Sequence, residues 1–443
     1  MHIFVDVMKM NAIRIIAIVV AAVSLVSGCE CAKPGPDEIM YERVMIMYSA
    51  GFNSLSGYLQ ENIKDLQKGF VPDKRGLDVM LLVSHQTKVS NGYSNPAEPV
   101  LIRMYKTRKS GVVMDTLARY SSDFVITRAA EMKDILQTIN KQFPAKHYGM
   151  VFSSHASGWV PKGYFSHPES YERKSSGGKS LAAPHLHLPE GAVPYVEPEE
   201  YPGAPPVKSL GITNAIVDGT SIAYEIDLPE FASSIPMPLD YLILDACLAG
   251  GIEVAYQLKD VCGTILFSPT EVLAEGLDYK NLASHLIGSR TDVVAVADDY
   301  YQRFAKKSSQ AERSATVSVI DCTKLDAVAE CSKSLFEKYR NEIASVIPSR
   351  VQRYYRSDKH WFYDFEDIMV QAGISASDKK QFESILNSCI MYKAATEWFL
   401  QGSGGFKIDT FSGLSMYLPC NGSAYLNNFY KTLEWNKAAE LVD

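Results

Sequence analysis

Two residues of the chain, His155 and Cys247, have side chains that can act together in nucleophilic catalysis. Each follows an apolar run, "HYGMVFSS" before the histidine and "YLILDA" before the cysteine, and small residues come next in both places. A histidine close to a cysteine can accept the thiol proton and later protonate a leaving amine. The pair therefore indicates a cysteine nucleophile with a histidine base.

The elements that carry these residues follow an alternating pattern of strands and helices. Continuous apolar runs predict strands over 43–49, 79–84, 100–105 and 241–246, and amphipathic stretches lie between some of them. This rhythm is typical of a mostly parallel sheet covered by helices on both faces. Ligands bind at the carboxyl ends of such strands, so His155 and Cys247 meet there if their strands are neighbours. A helix that begins after Cys247 would also favour the thiolate.

The other cysteines of the α/β region and beyond serve as an internal comparison. Cys262 precedes its apolar run, which puts it at the opposite edge of the sheet. Cys322, Cys331 and Cys389 lie in helical patterns, where cysteine usually acts as a small hydrophobe. An inert core thiol would be the better interpretation of Cys247 alone, but the matching position of His155 favours the nucleophile.

The N-terminus has the pattern of an export signal. Lys9 and Arg14 precede an apolar stretch over 15–26 that is short for a membrane span. "VSGC" then resembles a bacterial lipobox with Cys29 as the lipidated residue; the alternative is an ordinary cleavage site before a cysteine. We predict a signal peptide over 1–28, a tether over 29–38, and a protein lipid-anchored to the bacterial cell envelope, at its periplasmic face or at the cell surface.

The rest of the chain divides into two parts. Residues 39–290 are predicted to form the α/β domain, interrupted by a proline-rich, loop-rich insertion over 160–220. Long loops of this kind are usually functional or mobile. Residues 291–443 are predicted to form a mainly helical C-terminal part that completes the fold.

Charge and motifs argue against several classes of function. A net charge of -7 disfavours nucleic-acid binding. His185 and His187 form an H-x-H pair that could chelate zinc, but on a proline-rich loop solvated histidines are the favoured interpretation. No calcium-binding loop of the D-x-[DN]-x-[DN]-G kind occurs, so the sequence gives no support for calcium dependence. We predict no metal and no cofactor.

Several segments together resemble the clostripain-like cysteine peptidases. The two signature blocks are "HYGMVFSSHASGW" and "LDYLILDACLAGGIEVAYQL", and "MIMYSAGFNSLSGYL", "SPTEVLAEGLDY" and "FSGLSMYLP" are further matches. The resemblance covers roughly residues 40–435. It implies a three-layer α/β/α sandwich with a mostly parallel, caspase/haemoglobinase-like sheet, a His155–Cys247 dyad, and cleavage of proteins or peptides after arginine or lysine.

The resemblance also implies a pocket for the basic side chain before the scissile bond, the S1 pocket. Asp245 would face this pocket and bind the cationic group by a charge-assisted hydrogen bond. The alternative is that Asp245 caps the following helix. A second acid is expected to line the same pocket, and spacing alone leaves three candidates: Glu271, Glu275 and Asp278.

Clostripain-like enzymes are commonly activated by a cut between the histidine and cysteine blocks. The flexible stretch "SYERKSSGGKS" predicts self-cleavage at Arg173, Lys174 or Lys179. Lys208 is less favoured, since Pro205 and Pro206 stiffen its approach. The alternative is a passive surface loop. The competing prediction for the whole protein is a catalytically silent lipoprotein that binds peptides or glycans on a peptidase scaffold, because a fold does not guarantee an activity.

Overall fold

The computed structural model describes most of the chain from residue 40 onward. The described ranges are 40–71, 76–90, 93–107, 111–121, 123–175, 192–194, 203–208, 214–217, 220–288, 290–357 and 360–443. The predicted signal peptide, the tether and Cys29 lie outside these ranges.

Seventeen strands are formed by the described residues. In chain order they are β1 (Tyr41–Gly51), β2 (Asp78–Ser90), β3 (Tyr93–Pro96), β4 (Val100–Thr107), β5 (Gly111–Arg119), β6 (Ala145–Ser153), β7 (Ala192–Pro194), β8 (Asn214–Val217), β9 (Thr220–Tyr224), β10 (Leu239–Asp245), β11 (Cys262–Phe267), β12 (Thr316–Asp321), β13 (Tyr363–Asp364), β14 (Ile390–Ala395), β15 (Trp398–Phe399), β16 (Phe406–Lys407) and β17 (Ser415–Met416).

Thirteen α-helices occur within the same described ranges. In chain order they are α1 (Ser56–Lys68), α2 (Ala129–Gln142), α3 (Pro168–Ser175), α4 (Leu228–Ser233), α5 (Ile252–Leu258), α6 (Tyr279–Leu286), α7 (Val293–Ala305), α8 (Leu325–Lys338), α9 (Arg340–Ala344), α10 (Phe365–Gln371), α11 (Ala376–Cys389), α12 (Ala424–Tyr430) and α13 (Glu434–Ala439).

One ten-stranded sheet forms the centre of the fold, in the order β14-β12-β11-β10-β6-β1-β2-β4-β5, with β3 paired to β2. The five central strands, from β11 to β2, run parallel. Antiparallel strands extend the sheet on both sides. Central strands such as Tyr41–Gly51 are buried over most of their length, which explains their continuous apolar sequences.

Helices cover both faces of the sheet and give three layers. On one face α1 packs on α6, and α6 packs on α7. On the other face α2 packs on α4, α4 on α5, and α5 on α13. The predicted three-layer α/β/α sandwich with a mostly parallel sheet is confirmed. The C-terminal part also supplies β12 and β14 to the sheet, so it completes the central layer as well as adding helices.

The region between β6 and β10 carries few regular elements, and much of it falls outside the described residues. Three short strands, β7, β8 and β9, form a small separate sheet there. Of the helices that the structure describes, none has the length and apolar character needed to cross a membrane.

Candidate active site

The register of two neighbouring strands brings His155 and Cys247 to one edge of the sheet. Strands β6 and β10 are parallel, and Ser153 pairs with Asp245 at their carboxyl ends. The histidine and the cysteine each lie two residues beyond this pair. Both side chains are buried, His155 at 2% exposure and Cys247 at 0%. The two strands are therefore neighbours, which is the condition for His155 and Cys247 to lie near each other at this edge.

Cys247 is held against the segment that follows β11. The Val272 N–H donates to its Sγ at 3.0 Å. The next residue, Leu248, has a φ of 58°, and its N–H donates to the Thr270 carbonyl at 2.9 Å. Gly158 lies against the Leu248 carbonyl, where a Cβ would overlap it. The loops after the two strands thus pack directly on each other.

His155 is in the protonation state that a general base needs. Its pKa is lowered to about 3, chiefly by burial; the Lys208 backbone opposes this shift and the Lys208 ammonium adds to it. Its Nε2 lies 3.3 Å from the Ser54 hydroxyl. The imidazole is therefore neutral at neutral pH and able to accept a proton.

Asp245 lies at the bottom of a buried polar pocket. The Ser153 hydroxyl donates to its Oδ2 at 2.8 Å, and the Tyr279 hydroxyl donates to the same oxygen. The helix that follows, α5, is capped by Gly251, with no side-chain hydrogen bond at the cap. The helix-capping interpretation of Asp245 is therefore wrong.

The pocket holds the side chain of Lys208, a residue that the sequence argument disfavoured. The Lys208 ammonium forms an ion pair with Asp245 Oδ2, and both side chains are 0% exposed. It also donates to the Ser153 hydroxyl at 2.9 Å. Burial lowers the pKa of Lys208, and the Asp245 carboxylate opposes that shift. Pro205 and Pro206 made Lys208 a disfavoured cleavage position on the sequence alone, and no local motif indicated a long-range partner.

The backbone over 206–208 lies antiparallel to residues 272–274, the segment that follows β11 and holds Cys247. The Lys208 N–H donates to the Val272 carbonyl at 2.7 Å, and the Ala274 N–H donates to the Pro206 carbonyl at 2.9 Å. Val207 and Leu273 form an antiparallel bridge between these bonds. An extended peptide that adds to an exposed strand makes the same pattern. Lys208 therefore enters the pocket as a side chain of a bound peptide would.

Gly276 forms one wall of this pocket. Its φ is +64°, which favours glycine, and a Cβ there would lie 2.5 Å from Asp245 Oδ2 and 2.7 Å from Lys208 Nζ. The pocket thus has room for the cationic group only because residue 276 has no side chain.

The three candidate second acids make other contacts. Glu271 is buried beside Arg356, with 3.3 Å between Oε1 and Nη2. Glu275 accepts from Arg303 at 3.0 Å and from Lys307 at 2.8 Å. Asp278 caps helix α6, since its side chain accepts from the Asn281 N–H. These contacts favour structural roles, and Ser153 and Tyr279 are the side chains that join Asp245 in the pocket.

The remaining sequence candidates are the predicted cleavage positions, the H-x-H pair and Cys262. Arg173 and Lys174 belong to α3, but their side chains are not among the described parts of the chain. Lys179, His185 and His187 lie outside the described residues altogether. Within the described ranges, no three His, Cys, Asp or Glu residues are grouped to hold a metal ion. Cys262 lies at the start of β11 and faces Cys322, with 3.9 Å between the sulfur atoms.

Comparison with known proteins relates the chain to one peptidase family. The model of the clostripain family matches residues 47–181 and 217–441. No curated protein sequence gives a significant match.

Solved structures with a similar fold include proteases from Parabacteroides distasonis and Bacteroides thetaiotaomicron. An inactive zymogen of a C11 protease from Parabacteroides distasonis is 24% identical, with a TM-score of 0.69, and the match covers 90% of this chain and 99% of that one. A secreted C11 cysteine protease from Bacteroides thetaiotaomicron is 23% identical, with a TM-score of 0.67 and the same coverage. A structure of such a Bacteroides thetaiotaomicron protease with an irreversible peptide inhibitor has a TM-score of 0.66 at 21% identity, again over 90% and 99% of the two chains. These likenesses show the fold.

Proposed function

The chain belongs to the clostripain family of cysteine proteases, and we propose that it is an endopeptidase that cleaves after arginine or lysine with a His155–Cys247 dyad. The observation that carries this proposal is the buried ion pair between Lys208 and Asp245. A lysine of the chain itself occupies the pocket beside the cysteine, with its backbone paired as a peptide would be.

The dyad would act through an acyl-enzyme. Neutral His155 accepts the proton of the Cys247 thiol, and the thiolate attacks the carbonyl carbon of the scissile bond. When the carbon–nitrogen bond breaks, His155 gives that proton to the leaving amine, and a thioester links the substrate to Cys247. Water, activated by His155, then hydrolyses the thioester and restores the thiol.

Specificity for a basic residue follows from the chemistry of the pocket. A buried carboxylate binds a cation strongly because leaving either charge unpaired away from water costs several kcal/mol. An apolar or acidic side chain in the same place would leave Asp245 without a cationic partner. We infer that arginine and lysine are the accepted residues.

We also propose that the described state is a precursor that cleaves itself after Lys208. The Lys208 side chain fills the pocket that a substrate needs, so substrates are excluded until this segment is released. A C11 protease zymogen is among the structures with the same fold. The predictions for Arg173, Lys174 and Lys179 stay predictions, but the contacts of Lys208 favour a cut between Lys208 and Ser209.

Export and lipid anchoring at Cys29 belong to the same proposal. The N-terminal charge and apolar pattern and the "VSGC" sequence support them. One of the structures with the same fold is described as a secreted protease. The substrates would then be proteins or peptides outside the cytoplasm.

Fluorogenic peptides that differ only in the residue before the scissile bond test this function. We expect hydrolysis of arginyl and lysyl peptides by the full chain after incubation, and little hydrolysis of alanyl and aspartyl peptides. Equal rates on all four would overturn the basic specificity. Absence of hydrolysis from processed protein would favour a binding scaffold.

A further inference from the structure

An apolar cavity of about 70 Å³ opens beside His155 on the face of the sheet opposite to Asp245. Its floor is formed by buried side chains from β6, β10 and the helices α4 and α5, among them Phe152, Leu244, Phe231 and Val254. Its mouth includes the half-buried residues 156–158, which directly follow the histidine. The catalytic loop is therefore shared between this cavity and the substrate path.

The two sites lie on opposite faces because strand residues alternate in direction. Ser153 and Asp245 point to the lysine pocket, and their neighbours Phe152 and Leu244 line the cavity. The Lys208 segment approaches on the Asp245 face through its pairing with 272–274. A peptide that continues past its basic residue across Cys247 would reach the loop after His155, because Gly158 of that loop packs on Leu248.

We propose that this cavity is the subsite for an apolar side chain on the leaving-group side of the scissile bond, at the first or second residue after it. The inference rests on the proposed peptidase function and adds a second requirement for substrates. In the chain itself, Ser209 and Leu210 follow Lys208, so a leucine occupies the second of these positions in the proposed self-substrate.

The charges at the mouth leave the cavity apolar in character. Lys162 pairs with Glu230 at 3.1 Å and with Asp227 at 3.5 Å. Glu225 accepts from the Gly163 N–H at 2.7 Å, and burial raises its pKa to about 7. Glu225 Oε1 has no hydrogen-bond partner among the described residues. An acidic substrate side chain placed here would lose water and face this carboxyl group, so acidic residues are disfavoured.

Internally quenched peptides with one non-prime sequence and arginine before the cut test the inference. Leucine, serine or aspartate is placed at the first or the second following residue. We expect kcat/KM to be at least about tenfold higher with leucine at one of these positions than with serine or aspartate.

Two variants change the size of the cavity without touching the dyad or the lysine pocket. Val254→Phe fills it and should reduce the leucine preference to less than about threefold, and Phe231→Ala enlarges it and should move the preference to phenylalanine. A thermal melt checks that each variant folds. Both should still hydrolyse arginyl aminocoumarin, whose leaving group presents no such side chain.

The outcomes separate this inference from the proposed function. Activity on arginyl aminocoumarin with no preference at either following position would overturn the subsite and leave the peptidase intact. A leucine preference unchanged in both variants would also overturn it. Failure to cleave any basic substrate would instead contradict the proposed function.

Discussion

Lys208 and Asp245 form an ion pair that is completely removed from solvent, although 36 residues separate them in the chain. Burying two charges is costly, and breaking such a pair by removing one partner costs more than keeping it. The pair therefore holds the Lys208 side chain in the pocket. Under the proposed function, the same contact keeps substrates out of the pocket and indicates the kind of side chain that the pocket binds.

Replacing Asp245 by Asn should remove the preference for basic residues. The amide keeps the shape but loses the charge, so we expect the ratio of kcat/KM for arginyl over alanyl peptides to fall by roughly a hundredfold, as for loss of a buried charged hydrogen bond. This ratio does not depend on the fraction of enzyme that is processed. Asp240→Asn, on the same strand but at an exposed position, is the matched control. An unchanged ratio would place the specificity elsewhere.

Gly276→Ala should close the lysine pocket. The added Cβ would overlap both Asp245 and the bound cation, and we expect kcat/KM on arginyl and lysyl peptides to fall by about a hundredfold or more. Gly373→Ala separates this effect from backbone strain, because Gly373 has a similar φ of +72° but open space around it. Full activity in Gly276→Ala would show that the cation binds elsewhere.

Processing should produce a fragment that begins at Ser209. Mass spectrometry of incubated wild-type protein is expected to identify this terminus, and Lys208→Ala should stay whole because alanine cannot reach Asp245. Lys208→Arg should still be cut, since a guanidinium also pairs with a carboxylate. Lys179→Ala is the control and should be cut normally. Fragments that end at Arg173, Lys174 or Lys179 would instead support the sequence-based prediction.

Glu253 should make the folded protein less stable as the pH rises toward neutral. Its carboxylate is buried and accepts from the Tyr417 N–H and the Tyr430 hydroxyl, each at 2.8 Å. Burial raises its pKa to about 7. Because the folded state then binds more protons than the unfolded state between about pH 4.5 and 7, its contribution to the free energy of unfolding falls across that window, by roughly 3 kcal/mol.

Denaturation of Glu253→Gln at several pH values tests this contribution. The amide oxygen still accepts both hydrogen bonds but does not titrate. The free energy of unfolding of the variant, minus that of the wild type, should therefore increase from pH 5 to pH 7. Glu337→Gln, at an exposed position of α8, should show no such trend. A pH-independent difference for Glu253→Gln would contradict the raised pKa.

The sheet and the placing of His155 and Cys247 at its carboxyl edge could be predicted because both depend on local sequence. Continuous apolar runs identify buried parallel strands, and residues that follow such strands share one edge of the sheet. The strand order was not accessible in this way, since pairing of β6 with β10 joins segments about ninety residues apart. The antiparallel strands β12 and β14 were not predicted, because they lie in a part of the chain whose patterns are mainly helical.

The occupation of the pocket by the Lys208 side chain could not be predicted from local patterns. Lys208 follows two prolines in a loop-rich region, and nothing near it in sequence indicates a buried partner. Its position depends on backbone pairing with Val272 and on the space left by Gly276. The candidate acids Glu275 and Asp278 were suggested by the family resemblance, but the Glu275 side chain contacts basic residues and the Asp278 side chain caps a helix.

Hydrolysis of an arginyl fluorogenic peptide by Cys247→Ala tests the central claim most directly. The account predicts a loss of turnover of at least about a thousandfold, because no other described thiol lies on the edge that carries His155. Cys262→Ala, which removes a buried thiol at the opposite edge, should keep activity close to that of the wild type. Substantial hydrolysis by Cys247→Ala, or its loss only in Cys262→Ala, would contradict the assignment of the dyad.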